Sequence, residues 1–235
     1  MNPLKSIYNT VKDPLWNIAL RTYVGAHRTY QPLGDEKTAA GGRPDSAFRK
    51  RWEAVADQIE KCEAKNLLDI GCAEGWFVRN ARMKSNIFAL GLDQNRRSLR
   101  LASAFSELQG DQGYGFVAGT FSPKELQNLP KFDVVICFSL VHHVVKVEGR
   151  EGGIDYLKAC RAITGKRFLF DMGGPDEVSH SWASKMDFLA GDIDKNMADF
   201  LRDAGFTDVE KISESMAHVD NVPRPLFACS PGKGA

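Results

Sequence analysis

Two clusters of residues in this 235-residue chain could do chemistry. The first is Asp69-Ile70-Gly71-Cys72-Ala73-Glu74-Gly75. Glycines in such a turn let the backbone bend sharply and come close to a ligand. Asp93, followed by Gln94, stands 24 residues after Asp69. A carboxylate there can accept hydrogen bonds from both hydroxyls of a ribose. The second cluster is Ser139-Leu140-Val141-His142-His143-Val144. Imidazole is the side chain best suited to take a proton near neutral pH, and the same two rings could instead plug a helix–sheet contact. On a continuing strand the two would face opposite sides, so one of them points at a substrate, and the choice falls on His143.

These clusters need elements to hold them. From Asn66 the chain repeats strand, turn, helix: Asn66–Ile70 runs into the glycine turn, and a helix follows from about Gly75. Ile87–Asp93 reads as a second strand, with Asn95 capping a helix that carries Leu99, Ala102 and Phe105. Tyr114–Ala118 is a third strand, and Phe132–Phe138 a fourth whose unbroken apolar run suits a parallel strand covered on both faces. A helix through Ile154, Leu157 and Ile163, a strand at Arg167–Asp171 and a helix ending at Gly205 come next. Strands near Thr207–Ile212 and Leu226–Cys229 close the pattern. Alternation of this kind implies an α/β fold with a doubly wound, mostly parallel sheet. Ahead of it, residues 1–65 read as a helical and loop extension. Leu4, Ile7, Tyr8, Val11, Leu15 and Ile18 recur at helical spacing, residues 25–46 form a long loop, and Phe48, Trp52, Val55 and Ile59 share one helix face capped by Asp45 or Ser46.

Composition sets outer limits. A chain with 43% hydrophobic and 26% charged residues is globular rather than disordered. Net charge of +1 argues against a general nucleic-acid coat. The five cysteines are scattered without a CxxC pair, so neither a metal site nor a disulfide framework is indicated. Lys12, Asp13 and Pro14 interrupt any leader, and no apolar run spans a bilayer, so a cytoplasmic protein is expected.

The glycine spacing separates two cofactor classes. A dinucleotide fingerprint wants G-x-G-x-x-G, but Trp76 stands where its third glycine belongs. The stretch resembles instead the first motif of class I S-adenosylmethionine-dependent methyltransferases, acidic-x-Gly-x-Gly-x-Gly, with Asp69, Gly71 and Gly75 matching and Ala73 departing. Asp93 and Phe132–Cys137 fall at that family's second and fourth motifs, so the resemblance covers about residues 66–229. It implies a Rossmann-like seven-stranded sheet with the last strand antiparallel. It also implies S-adenosylmethionine as cofactor. The Gly71–Gly75 backbone, with Cys72 and Ala73, would lie against the methionine part, Asp69 on its amino group, and Asp93 and Gln94 on the ribose. Gly119, Thr120 and Phe121 would lie near the adenine, where the family's usual acid is missing, and Phe138 and Ser139 under the sulfonium.

For the acceptor, the resemblance makes residues 1–65 a lid over residues 66–235. Residues 27–51 hold six basic against three acidic side chains, and Tyr30, Arg43 and Arg51 are the substrate candidates there. More faintly, Arg51-Trp52-Glu53 and Ser139–Val144 resemble bacterial methyltransferases of sugars or glycan phosphates. The expected acceptor is a small or glycan-like molecule, methylated on oxygen, with an anionic group as one option. An RNA methyltransferase acting on a terminal phosphate or base, served by Arg49–Arg51 and by Arg79, Arg82, Arg96, Arg97 and Arg100, is the alternative. A nicotinamide enzyme and a non-catalytic protein that keeps the fold remain further alternatives.

Overall fold

The computed structural model describes residues 15–26, 30–33, 45–110, 113–217 and 219–232. Seven strands form one sheet in the order β3-β2-β1-β4-β5-β7-β6. They are β1 (Asn66–Ile70), β2 (Phe88–Asp93), β3 (Tyr114–Ala118), β4 (Phe132–Phe138), β5 (Thr164–Asp171), β6 (Thr207–Met216) and β7 (Pro223–Ser230). β1 to β5 pair in parallel, and β7 runs antiparallel between β5 and β6. The Rossmann-like sheet with its last strand reversed is therefore present as expected.

The helices are α1 (described over 15–25), α2 (Asp45–Lys61), α3 (Trp76–Ser85), α4 (Arg96–Gln109), α5 (Pro123–Leu126), α6 (Val141–Ala162) and α7 (Ile193–Asp203). Two cores cover the two faces. Phe48, Trp52 and Val55 of α2 pack with Trp76 and Phe77 of α3 on one face, whereas Leu157 of α6 and Phe200 of α7 pack on the other. Thus α2 shares its core with the sheet rather than forming a body of its own. α1 docks through buried Leu20 and a bond from the Trp16 indole N–H to Glu107 Oε1 at 2.5 Å. Residues 1–14, which hold the rest of the expected first helix, and most of the loop up to residue 44 lie outside the described residues.

Asn95 caps α4 by accepting from the amides of Arg97 and Ser98, and Gly205 follows α7 with φ of 90°, both as the sequence implies. Several elements differ from the sequence reading. α6 begins at Val141, so His142 and His143 ride on a helix and not on a strand or loop. Gly149, at φ 73° and ψ −176°, breaks that helix after its second turn. β6 and β7 are longer than expected, because each supplies the other's ladder across two register shifts.

Candidate functional site

The carboxyl ends of β1, β2 and β4 open into one cleft of about 620 Å³. Ligands in open α/β sheets bind at this edge. Its walls include Asp69, Gly71, Asp93, Gln94, Gly119, Thr120, Phe121, Phe138, Ser139 and His143, joined by Tyr30 and Arg51 from the N-terminal segment. The turn after β1 is shaped by steric need. Gly71 has φ of 83°, and a Cβ there would lie 2.7 Å from Leu140 Cδ1. Gly75 has φ of 71°, and a Cβ would meet the Phe116 ring at 2.2 Å. Gly75 thus serves the seating of α3 and does not itself line the cleft, and neither do Cys72 and Ala73. The Cys72 side chain is buried beneath the turn, where its Sγ would meet a Cβ at Gly91 at 2.6 Å. Ala73 turns its N–H toward the Asp93 carboxylate. Arg43 lies outside the described residues.

Asp69 and Asp93, two acids of the cleft wall, differ. Asp93 accepts from the amides of Ala73 and Asn95, each at 2.7 Å, and keeps further lone pairs for a ligand. Asp69 is 2% exposed, and its Oδ2 has no hydrogen-bond partner among the described residues. Burial, reinforced by the charge of Asp93, pushes its carboxyl up to about 8. A buried, unanswered carboxylate oxygen on a cleft wall is a counter-charge for a cationic group such as an ammonium.

The other end of the cleft rests on a buried ionic lattice that no local sequence signal announces. Ser139, the residue after β4, has a left-handed φ of 54°. Its N–H and Oγ–H donate to Asp171 Oδ1 at 2.9 and 3.0 Å, and its Oγ accepts from Arg224 Nη1 at 2.7 Å. Arg224 also grips Glu177 with Nε, at 3.0 Å, and with Nη2. From the opposite side, Arg51 Nη2 approaches Asp171 Oδ2 at 3.2 Å while its Nε donates to Ser215 Oγ at 3.0 Å. Two arginines thus answer two acids, and Asp171 with Arg224 holds Ser139 in its strained conformation.

The histidines divide. His142 is 3% exposed, and its Nδ1 accepts the Gly173 amide at 3.1 Å, which places its proton on Nε2. Its ring lies 4.3 Å from those of His143 and Trp182. Burial drives its pKa down to about 2, and the neighbouring His143, Arg224 and His180 add to the shift. His142 is a packed, permanently neutral ring turned away from the cleft. His143 does line the cleft, and burial together with Lys146, His180 and Arg224 lowers its pKa below the usual histidine range. Glu177, His180 and Asp220 place ligand atoms within 4.8 Å of one another among the described residues, but Glu177 is already claimed by Arg224.

A methyltransferase-domain family matches residues 61–205. The chain belongs to that family. It carries that family's methyltransferase domain, and the residues present fit S-adenosylmethionine as cofactor: Asp69 offers the unanswered carboxylate, Gly71 the close backbone approach, and Asp93 free lone pairs. The nicotinamide alternative lapses with this assignment. The chain is also similar to the O-antigen chain terminator bifunctional methyltransferase/kinase WbdD of Escherichia coli, at 23% identity over 167 residues, 70% of this chain and 22% of the relative. It is similar to a tRNA U34 carboxymethyltransferase of Colwellia psychrerythraea, at 25% identity over 112 residues, 48% of this chain and 32% of the relative. The chain therefore spans less than a third of the length of the curated relatives it matches. Among solved structures, WbdD superposes with a TM-score of 0.75 and 21% identity, over 90% of this chain and 47% of that one. Magnesium protoporphyrin IX methyltransferase from Synechocystis PCC 6803 does so at 0.58 and 14% identity, over 79% of this chain and 83% of that one.

Proposed function

We propose that the protein transfers a methyl group to an oxygen of a small or glycan-like acceptor, with His143 as the base. The observation that carries this reading is a single cleft with the acids and glycine of the cofactor turn at one end and a neutral imidazole at the other. S-adenosylmethionine, held by Asp69, Gly71 and Asp93, supplies a methyl group that is already activated as a sulfonium. The protein's own task is then alignment, exclusion of water and removal of one proton.

Phe138 and Ser139 form the floor between the two ends of the cleft, and the Asp171–Arg224 lattice keeps that floor rigid. His143 accepts the acceptor's hydroxyl proton, because its depressed pKa leaves it uncharged at neutral pH. Arg51 is held by Asp171, so its charge is already answered. That arrangement favours a hydroxyl deprotonated by His143 over an acceptor that brings its own negative charge. The glycan-like class draws support from WbdD, a relative named for O-antigen chain termination, whose likeness covers 70% of this chain against 48% for the tRNA-modifying relative.

One observation favours the RNA reading instead. Arg96, Arg97 and Arg100 stand exposed on the first turns of α4, beside Gln94 at the cleft rim. Transfer from methyl-labelled S-adenosylmethionine to oligosaccharides with free hydroxyls, run beside transfer to bulk tRNA, distinguishes the two. Label in the oligosaccharide alone is expected. Label in the tRNA alone overturns the glycan-like assignment.

A further inference from the structure

The cofactor turn is joined to the N-terminal segment by a buried carboxylate that the methyl-transfer chemistry does not use. Glu74 sits inside the turn, 3% exposed. Its Oε1 accepts the N–H of Tyr30 at 3.2 Å and the hydroxyl of Ser98 at 3.0 Å, and its Oε2 accepts the N–H of Gln31 at 3.1 Å. The segment answers in kind. Gly75, the N-cap of α3, offers no side-chain cap, and Gln31 Oε1 accepts the Trp76 N–H at 2.8 Å in that role. Arg79, fully buried, donates to the Glu74 carbonyl and, at 3.0 Å, to the Pro32 carbonyl.

A polar acceptor buried at this depth is costly unless donors converge on it, and here they come from two backbone amides of a short segment and one hydroxyl of α4. The segment so fixed carries Tyr30 and Gln31 to the cleft wall. Tyr30 thus shares the wall of one cleft with Ser139 and His143.

We infer that Glu74 is a positioning residue for the cofactor: it holds the 30–33 segment so that Tyr30 closes the cleft over the bound molecule. The inference rests on the reading of the cleft as the S-adenosylmethionine site. Without the carboxylate, the amides of Tyr30 and Gln31 lose their shared acceptor and Tyr30 loses its fixed place, while Asp69, Gly71 and Asp93 stay where they are.

The test is a double-mutant cycle on affinity for S-adenosylhomocysteine, using Glu74→Gln, Tyr30→Ala and the pair. Each single change is expected to weaken binding about tenfold. The pair is expected to be no weaker than Tyr30→Ala alone, because Glu74 acts through Tyr30. A merely structural Glu74 gives losses that multiply to about a hundredfold, and that outcome overturns the inference. A second measurement needs no substitution: in the unaltered protein, S-adenosylhomocysteine should slow hydrogen exchange at the Tyr30 and Gln31 amides. Binding without such slowing overturns the positioning role alone. No binding at all overturns the cofactor reading and the inference with it.

Discussion

Asp93 Oδ2 accepts the backbone N–H of Ala73 at 2.7 Å, so the acid that faces the cleft also clamps the glycine turn. Asp93→Ala should therefore do two kinds of damage. Loss of the ribose contacts weakens cofactor binding by ~1–3 kcal/mol, and loss of the clamp lowers the thermal midpoint of the cofactor-free protein. Asp93→Asn, which keeps one acceptor oxygen, should be milder in both respects. Calorimetry with S-adenosylhomocysteine and a melting curve separate the two effects. An unchanged midpoint in Asp93→Ala shows that the clamp does not contribute.

Cofactor binding should release a proton at neutral pH. With its carboxyl at about 8 in the free protein, Asp69 is mostly protonated at pH 7. A cationic group beside it favours the charged form and lowers that pKa. Affinity should therefore fall as pH drops below about 8, and Asp69→Asn should flatten this dependence. The check is the binding heat at pH 7 in buffers of different ionisation enthalpy. Equal heats in all buffers contradict the linkage.

His143→Ala should lower turnover ~10²–10⁴-fold with cofactor affinity unchanged. The acid limb of the turnover profile should lie below the ordinary histidine value of ~6.5, since the surroundings of His143 depress its pKa. Near-normal turnover in this variant removes His143 from the chemistry.

His142 should make the fold acid-sensitive. Its pKa is about 2 in the folded protein and ~6.5 when unfolded, so the unfolded state takes up a proton that the folded state refuses. Stability from this source is present above pH ~6.5 and is lost below it, at up to ~1.4 kcal/mol per pH unit. His142→Asn, which can still accept the Gly173 amide, should show a shallower loss between pH 6.5 and 4.5 in chemical denaturation. An equal slope in both proteins points to another buried group.

The parts of this molecule set by local pattern were legible in the sequence. β1 and β4 follow from apolar runs, α4 from Asn95 and its apolar face, and two acids of the cleft wall from Asp69 and Asp93 near the strand ends. α5 had a readable signal that the sequence reading passed over: Ser122-Pro123-Lys124-Glu125 is a capping box, with Ser122 and Glu125 bonded reciprocally. The start of α6 was obscured because the break at Gly149 cuts off a first stretch too short to show helical period. The bracing behind the cleft floor was not legible at all. Asp171, Glu177 and Arg224 stand on β5, the loop after it and β7, and only the sheet order brings them to Ser139. The same holds for Glu74 and Tyr30, whose bond spans 44 positions.

The placement of β7 between β5 and β6 also sets a schedule for biosynthesis. β5 leaves the ribosome with one edge open, and β6 has no ladder to join until residues 223–230 follow it out. Arg224, which secures Ser139, arrives on that same late strand. A nascent chain halted before it lacks both the closing strands of the sheet and the arginine that braces the cleft floor. Closure of the sheet and bracing of Ser139 are thus tied to one moment of translation, and the β5 edge stays unpaired until then.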